Sequence, residues 1–179
     1  GLLFLILVAA FGGFWIGQLV FRDEFSFFGA APKELNRPVV LYSLDKRAND
    51  QAIIDVINSA QKYVYFAVYT FTKDNIADAL VDAKQRGLDV RGITDVDQAK
   101  TAYEKPIIKK LEAAGIQIKT QKRANGLMHI KAVVTDRAYA MGSYNWTESA
   151  TIANDELLEI GTDDYLRGAY TDIIKKILN

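Results

Sequence analysis

YVYFAVYTF, residues 63–71, is built from aromatic, β-branched and small apolar side chains with no charge and no wet/dry alternation. A strand with one solvated face alternates, whereas one that is apolar on both faces is central to its sheet and covered on both sides. Helices above and below a sheet are therefore the first expectation. Working outward, Asp74 stands where a helix cap is needed, the helical pattern runs to Arg86, and Gly87 ends it. LDVRGIT (88–94) predicts the next strand. Pro106, at a first-turn position, opens a helix whose Ile107, Ile108, Leu111 and Ala114 share a face, and Gly115 closes it. IQIKT (116–120) alternates as a strand.

Towards the N-terminus, VVLYS (39–43) predicts a strand, and a helix follows over 51–60 with Asn49 or Asp50 as its cap. Towards the C-terminus, MHIKAVVT (128–135) and AYAM (138–141) are strands around a turn at Asp136. ELLEIG (156–161) is another strand, and 166–178 reads as a terminal helix. Strands alternate with helices in the first two thirds and cluster as hairpins in the last third. The expected class is α/β, a mixed β-sheet flanked by helices on both faces.

The 179 residues carry 22 Lys+Arg against 22 Asp+Glu, so the chain is formally neutral and bulk charge holds no polyanion. Half the residues are hydrophobic and a quarter charged, which excludes wholesale disorder. There is no cysteine, so disulfides, thiolate metal sites and cysteine nucleophiles are excluded. That absence fits a secreted or periplasmic address. His129 is the sole histidine, so one chain cannot build a histidine-rich metal site, and neither metal nor cofactor is expected.

Residues 2–20, LLFLILVAAFGGFWIGQLV, carry no charge. As a helix they would span about 28 Å, close to a bilayer's hydrocarbon thickness. Residues 1–20 are expected to be a transmembrane or signal anchor, with a cleaved signal peptide and a buried core helix as the competing readings. Residues 21–37 read as a linker and 38–179 as the globular domain. The anchor places that domain at a membrane, on the periplasmic or extracellular side, or in the medium if the segment is cleaved.

The residues with chemistry cluster late. His129 and Lys131 alternate along a strand and so share a face, while Ile130, Ala132 and Val134 take the packing face. An imidazole beside an ammonium suits an anionic ligand. Gly142-Ser143-Tyr144-Asn145 supplies a tight turn with neutral donors of the kind that hold phosphate oxygens. Glu156, if its strand lies beside His129, would accept from an imidazole nitrogen and fix its tautomer. Read singly, each piece has a bland account: surface decoration, a turn, a solvated carboxylate, and for Asp136 a hairpin residue with no chemistry.

Their joint order, H-x-K-x4-D from His129 to Asp136 followed by G-S-x-N from Gly142 to Asn145, resembles the phospholipase D superfamily. Glu156 matches the family's downstream acidic residue, and the resemblance runs over roughly 39–161. It is closest to the small single-motif bacterial endonucleases and their membrane-anchored mitochondrial relatives. The resemblance implies metal-free phosphodiester transfer through a covalent phosphohistidine. His129 would be the nucleophile, Lys131 and Asn145 with Ser143 would hold the non-bridging oxygens, and Glu156 would orient His129. Asp136 and Gly142 would be structural. One motif per chain implies a homodimer with a shared active site.

The stretch 100–137 holds nine Lys and Arg against three carboxylates, an excess of six positive charges. Such a patch, with Lys109, Lys110, Lys122 and Arg123 as candidate contacts, suits a nucleic-acid backbone. Tyr103 and Tyr144 are candidates for base stacking. A sequence-tolerant nuclease on DNA or RNA is the leading expectation. A phospholipid phosphodiesterase and a non-catalytic nucleic-acid-binding module are the alternatives.

Overall fold

The computed structural model describes residues 37–121 and 126–179. The expected anchor and most of the expected linker lie outside the described residues, as do Lys122 and Arg123. Among the described residues no helix is long and apolar enough to cross a membrane.

In chain order the elements are β1 (Val39–Tyr42), α1 (Ser43–Lys46), α2 (Asn49–Ser59), β2 (Tyr63–Val68), α3 (Asp74–Gln85), β3 (Asp89–Asp95), a 3-10 turn (Gln98–Lys100) and α4 (Lys105–Ala113). They continue with β4 (Gln117–Gln121), β5 (Lys131–Thr135), β6 (Tyr139–Gly142), α5 (Glu148–Ile152), β7 (Leu157–Gly161) and α6 (Asp164–Leu178). The seven strands form one sheet in the order β1-β7-β6-β5-β2-β3-β4. β2, β3 and β4 are parallel, joined by the crossover helices α3 and α4. From β2 through β5, β6 and β7 to β1 every pairing is antiparallel. The expected division into an alternating half and a hairpin half is what the sheet shows.

β2 sits at the seam between the two halves, and all its residues after Tyr63 are buried. On one face Tyr65 and Ala67 join Ala132, Val134 and Tyr139 beneath Ile174 and Leu178 of α6. The other face presents Val64, Phe66, Val68 and Val133, each no more than 1% exposed. There α2 packs on α3 and reaches β5 and β6. Phe66 lies over Gly92 of the neighbouring strand, where an added Cβ would meet its ring at 2.0 Å. The same ring packs 5.5 Å from Trp146, which meets Phe71 edge-on at 4.9 Å. Burying a phenylalanine-sized side chain stabilises by about 1.5–3 kcal/mol, so Phe66→Ala would break this face first.

Three boundaries differ from the sequence reading. The central strand ends at Val68 rather than Phe71, because the chain leaves the ladder to pair with the segment after β6. Trp146 N donates to Thr70 O at 3.0 Å, and Thr72 N donates to Trp146 O at 2.8 Å. α2 begins at Asn49 with no side-chain cap. Its expected cap, Asp50, instead binds Lys73 at 2.9 Å and Asn75 at 2.8 Å. β5 begins at Lys131, and 126–130 form an irregular lead-in.

Candidate active site

Five strand ends meet at one edge of the sheet. The carboxyl ends of the parallel strands β2 and β3 lie there with the end of β6 and the starts of the reversed strands β5 and β7. Ligand sites of open α/β sheets sit outside the carboxyl ends of parallel strands, and here antiparallel neighbours contribute their starts to the same crevice.

His129 is exposed in the lead-in to β5, with its imidazole 4.7 Å from the Tyr69 ring at 53°. Lys131 opens β5 opposite Val68 and is only 6% exposed. Its ammonium donates to the carbonyl oxygen of His129 at 2.8 Å and stands 5.0 Å from the centre of the Tyr69 ring. Burial holds the Lys131 pKa below its ordinary value, against the opposing pull of the Glu156 carboxylate. Ile130 packs against the core cluster that contains Ala132 and Val134, as the alternation requires.

β6 delivers Gly142 against the backbone of β7. A Cβ at Gly142 would lie 2.0 Å from Leu157 O, so only glycine permits this approach. Ser143 follows, with its N–H donating to Leu157 O at 3.0 Å. Its hydroxyl donates to Glu156 Oε2 at 2.5 Å and accepts from Leu157 N at 3.1 Å. Tyr144 and Trp146 are buried, and Asn145 between them is half-buried. The amide oxygen of Asn145 is buried with no hydrogen-bond partner among the described residues. Glu156 is 8% exposed, and Asn154 Nδ2 donates to its other oxygen at 3.3 Å. Ser43, fully buried where α1 begins just past β1, accepts from Glu156 N at 3.0 Å and donates to Asn154 O. Ser43 was not singled out from the sequence, where it is one more residue closing an apolar strand.

Two expected contacts are not made within one chain. Glu156 does not bind His129, because β6 intervenes between β5 and β7 and two strand spacings are roughly 9–10 Å. Ser143 commits its single hydroxyl proton to Glu156, so in this arrangement it orients the carboxylate rather than donating to a ligand. Asp136 lies at the opposite end of β5, where Oδ1 accepts from Gln61 N at 2.9 Å and Lys62 N at 3.0 Å. Its bland account is the one the geometry favours.

The basic stretch is less uniform than its residue count. Lys109 is exposed on α4. Lys110 is bound to Asp78 and, at 2.8 Å, to Asp74, both on α3. It is an interhelical tie, not an open contact. Lys100 is paired with Asp97 at 3.1 Å, and Arg137 lies beside Asp136, away from His129. Tyr144 is fully buried with its hydroxyl on Thr151 at 2.6 Å, which removes it as a stacking platform. Tyr103 is 81% exposed. Among the described residues no three His, Cys, Asp or Glu side chains converge as a metal site would require.

The family described as "Cardiolipin synthase, PLD-like domain" matches residues 53–178. A mitochondrial cardiolipin hydrolase of Chlamydomonas reinhardtii is 32% identical over 124 residues, covering 69% of this chain and 55% of that protein. A phospholipase D of Rickettsia bellii is 29% identical over 119 residues, covering 66% of this chain and 58% of that protein. The chain thus spans a little over half the length of these curated relatives. Among solved structures, the phospholipase D family member Nuc from Salmonella typhimurium superposes with a TM-score of 0.72 at 24% identity, covering 80% of this chain and 95% of that one. With the family's pattern matched over most of its length, this chain belongs to the phospholipase D-like family.

Proposed function

We propose that the chain is a metal-independent phosphodiesterase in which His129 attacks phosphorus. The observation that carries this reading is the pairing of an exposed imidazole with a buried ammonium: His129 is accessible, and Lys131 is fixed beside it in a low-polarity setting. A preorganised cation in a site poor in water stabilises developing charge on phosphoryl oxygens far better than one that must be recruited. In the first step an imidazole nitrogen forms a P–N bond as the P–O bond to the leaving group breaks. The leaving oxygen takes a proton from a second acid. Water then attacks phosphorus, gives its proton back to that group, and the P–N bond breaks.

The second acid is His129 of a second copy, because one chain has one histidine and Glu156 is held by Ser143 and Asn154. The active species is then a C2 homodimer with a shared site. Asn145 joins Lys131 at the non-bridging oxygens by donating from its amide N–H₂.

Nucleic acid is the substrate favoured by Lys119, Lys122 and Arg123, which lie within ten residues of His129 on the segment leading to it. A phospholipid is the second reading. It is favoured by Leu127 and Leu157, which flank His129 and Glu156 at 57% and 56% exposure, and by the names of the curated relatives. The experiment presents single-stranded DNA, duplex DNA, RNA and cardiolipin vesicles in EDTA to wild type and His129→Ala. Cleavage of one class by wild type alone is expected, and retained cleavage by His129→Ala refutes the nucleophile. Excess His129→Ala mixed with wild type under subunit exchange should lower activity per wild-type chain. Unchanged activity refutes the shared site.

A further inference from the structure

We infer that Tyr69, a residue outside the H-x-K and G-S-x-N elements, is the positioning residue of this site, its ring forming the surface on which His129 and Lys131 are set. The inference rests on the phosphodiesterase reading for its kinetic consequences but not for its geometry. Tyr69 directly follows Val68, whose partner in the sheet is Lys131, so the tyrosine ring lies across the start of β5. Both the imidazole, at 4.7 Å, and the ammonium, at 5.0 Å, meet that one ring. Among the described residues the ring nitrogens of His129 make no hydrogen bond. The aromatic contact is therefore what restricts an otherwise exposed and rotatable nucleophile.

The ring is itself held. Gln98 Nε2 donates to the Tyr69 hydroxyl at 3.2 Å, and Thr70 Oγ1 donates to Gln98 Oε1 at 3.3 Å. Asp95, at the end of β3 and 3% exposed, accepts from Asp97 N at 3.0 Å and Gln98 N at 3.3 Å on one oxygen. Its other oxygen accepts from Met128 N at 3.1 Å, the residue before His129. A single buried carboxylate thus ties the turn that braces Tyr69 to the backbone that carries the nucleophile. The negative face of an aromatic ring favours a cation above it. The groups facing the Lys131 ammonium are the Tyr69 ring from the end of β2, Glu156 from the start of β7 and the His129 carbonyl from its own segment. Removing the ring takes away one of three attractions that keep Lys131 charged, leaving the Glu156 carboxylate and the His129 carbonyl.

The test compares Tyr69→Phe and Tyr69→Leu with wild type on bis(p-nitrophenyl) phosphate across a pH series. It is paired with the NMR signal of the chain's sole imidazole, which needs no turnover. Tyr69→Leu should lower kcat roughly 10- to 100-fold through lost orientation with little change in KM. It should also move the alkaline limb of the pH profile down by about 0.5–1 unit. The ring-current displacement of the His129 signal should vanish in Tyr69→Leu and survive in Tyr69→Phe. An unmoved imidazole signal in folded Tyr69→Leu, or an unmoved alkaline limb with wild-type kcat, overturns the inference. If Tyr69→Leu does not fold, Gln98→Ala, which frees the ring, should shift or broaden the imidazole signal, and an identical signal overturns it. Activity retained by His129→Ala would instead refute the phosphodiesterase reading, leaving the NMR arm to judge Tyr69 on its own.

Discussion

Glu104 is completely buried beneath the segment that follows β2, and among the described residues two groups bind its carboxylate. Thr94 Oγ1 donates to one oxygen and Phe71 N donates to the other at 2.9 Å. Burial pushes its pKa from an ordinary 4.5 up to about 6, the two hydrogen bonds pulling it back and nearby Asp95 adding to the rise. A carboxyl with a raised folded-state pKa binds its proton more tightly in the folded chain. Folding stability is therefore highest below the unfolded value and declines as pH rises from about 4.5 to about 6. Above that the cost is complete, about 2 kcal/mol for a shift of this size.

Glu104→Gln removes the titration while keeping the shape: the amide oxygen still accepts from Phe71 N, and the amide N–H₂ donates to Thr94. Urea unfolding of both proteins from pH 4 to pH 8 isolates the effect, because groups remote from position 104 titrate alike in the two. The stability difference should swing by about 2 kcal/mol in favour of the glutamine variant as pH rises through that window. Glu104→Ala, which strands a buried N–H, should instead lose about 1–3 kcal/mol at neutral pH. Stability curves of wild type and Glu104→Gln that run parallel across the whole range would refute the argument.

Gly142→Ala forces β6 and β7 apart at Leu157 and should cost about 2–4 kcal/mol, with activity falling as Ser143 and Glu156 separate. An unchanged urea midpoint would contradict the close approach. Asp136→Ala strips an acceptor from two backbone N–H groups and should cost about 1–2 kcal/mol, while turnover per folded molecule stays within a few-fold of wild type. A stable but inactive protein would give Asp136 a chemical role. If the substrate is nucleic acid, Lys109→Gln should reduce the salt dependence of binding by about one counterion. Lys110→Gln should leave binding alone and change stability by no more than about 1 kcal/mol. Equal binding losses in the two would mean that the Asp74 and Asp78 pairing opens on binding.

Much of this was legible one residue at a time. The doubly apolar run at 63–68 gave away the central strand because its partners on both sides share the same requirement for dry faces. Gly87 and Gly115, with φ of 88° and 77°, end α3 and α4 where only a residue without a Cβ is comfortable. The motif residues stood out because an imidazole, an ammonium and an amide in fixed order are rare by chance. What could not be read was partnership. The bond from Ser143 to Glu156 exists because β6 and β7 pair with Gly142 opposite Leu158, and a different register would have freed the serine. The ties of Lys110 depend on how α4 lies against α3, which no local pattern encodes. Tyr103 and Tyr144 look alike in sequence, yet one is 81% exposed and the other fully buried.

The distribution of roles along the strands explains why some parts were readable and others not. Strand middles answer to a local rule, the alternation that sends Ala132 and Val134 under α6 and Val133 to the opposite face. Strand ends obey no such rule, because their neighbours come from elsewhere in the chain. Tyr69 and Asp95 stand at the ends of β2 and β3, His129 and Lys131 at the start of β5, Ser143 just past β6 and Glu156 just before β7. Each is held by a residue from another of these ends, as Met128 is by Asp95 and Glu156 by Ser143. The ladder supplies rigidity to all of them at once, since sheet registers cannot slip by one residue without exposing a buried face. Asp136 secures the far end of β5 to the start of β2, pinning the register of the strand that carries Lys131. Residue type was therefore enough to nominate the chemistry, while the precise contacts at the site depend on five ends converging in space.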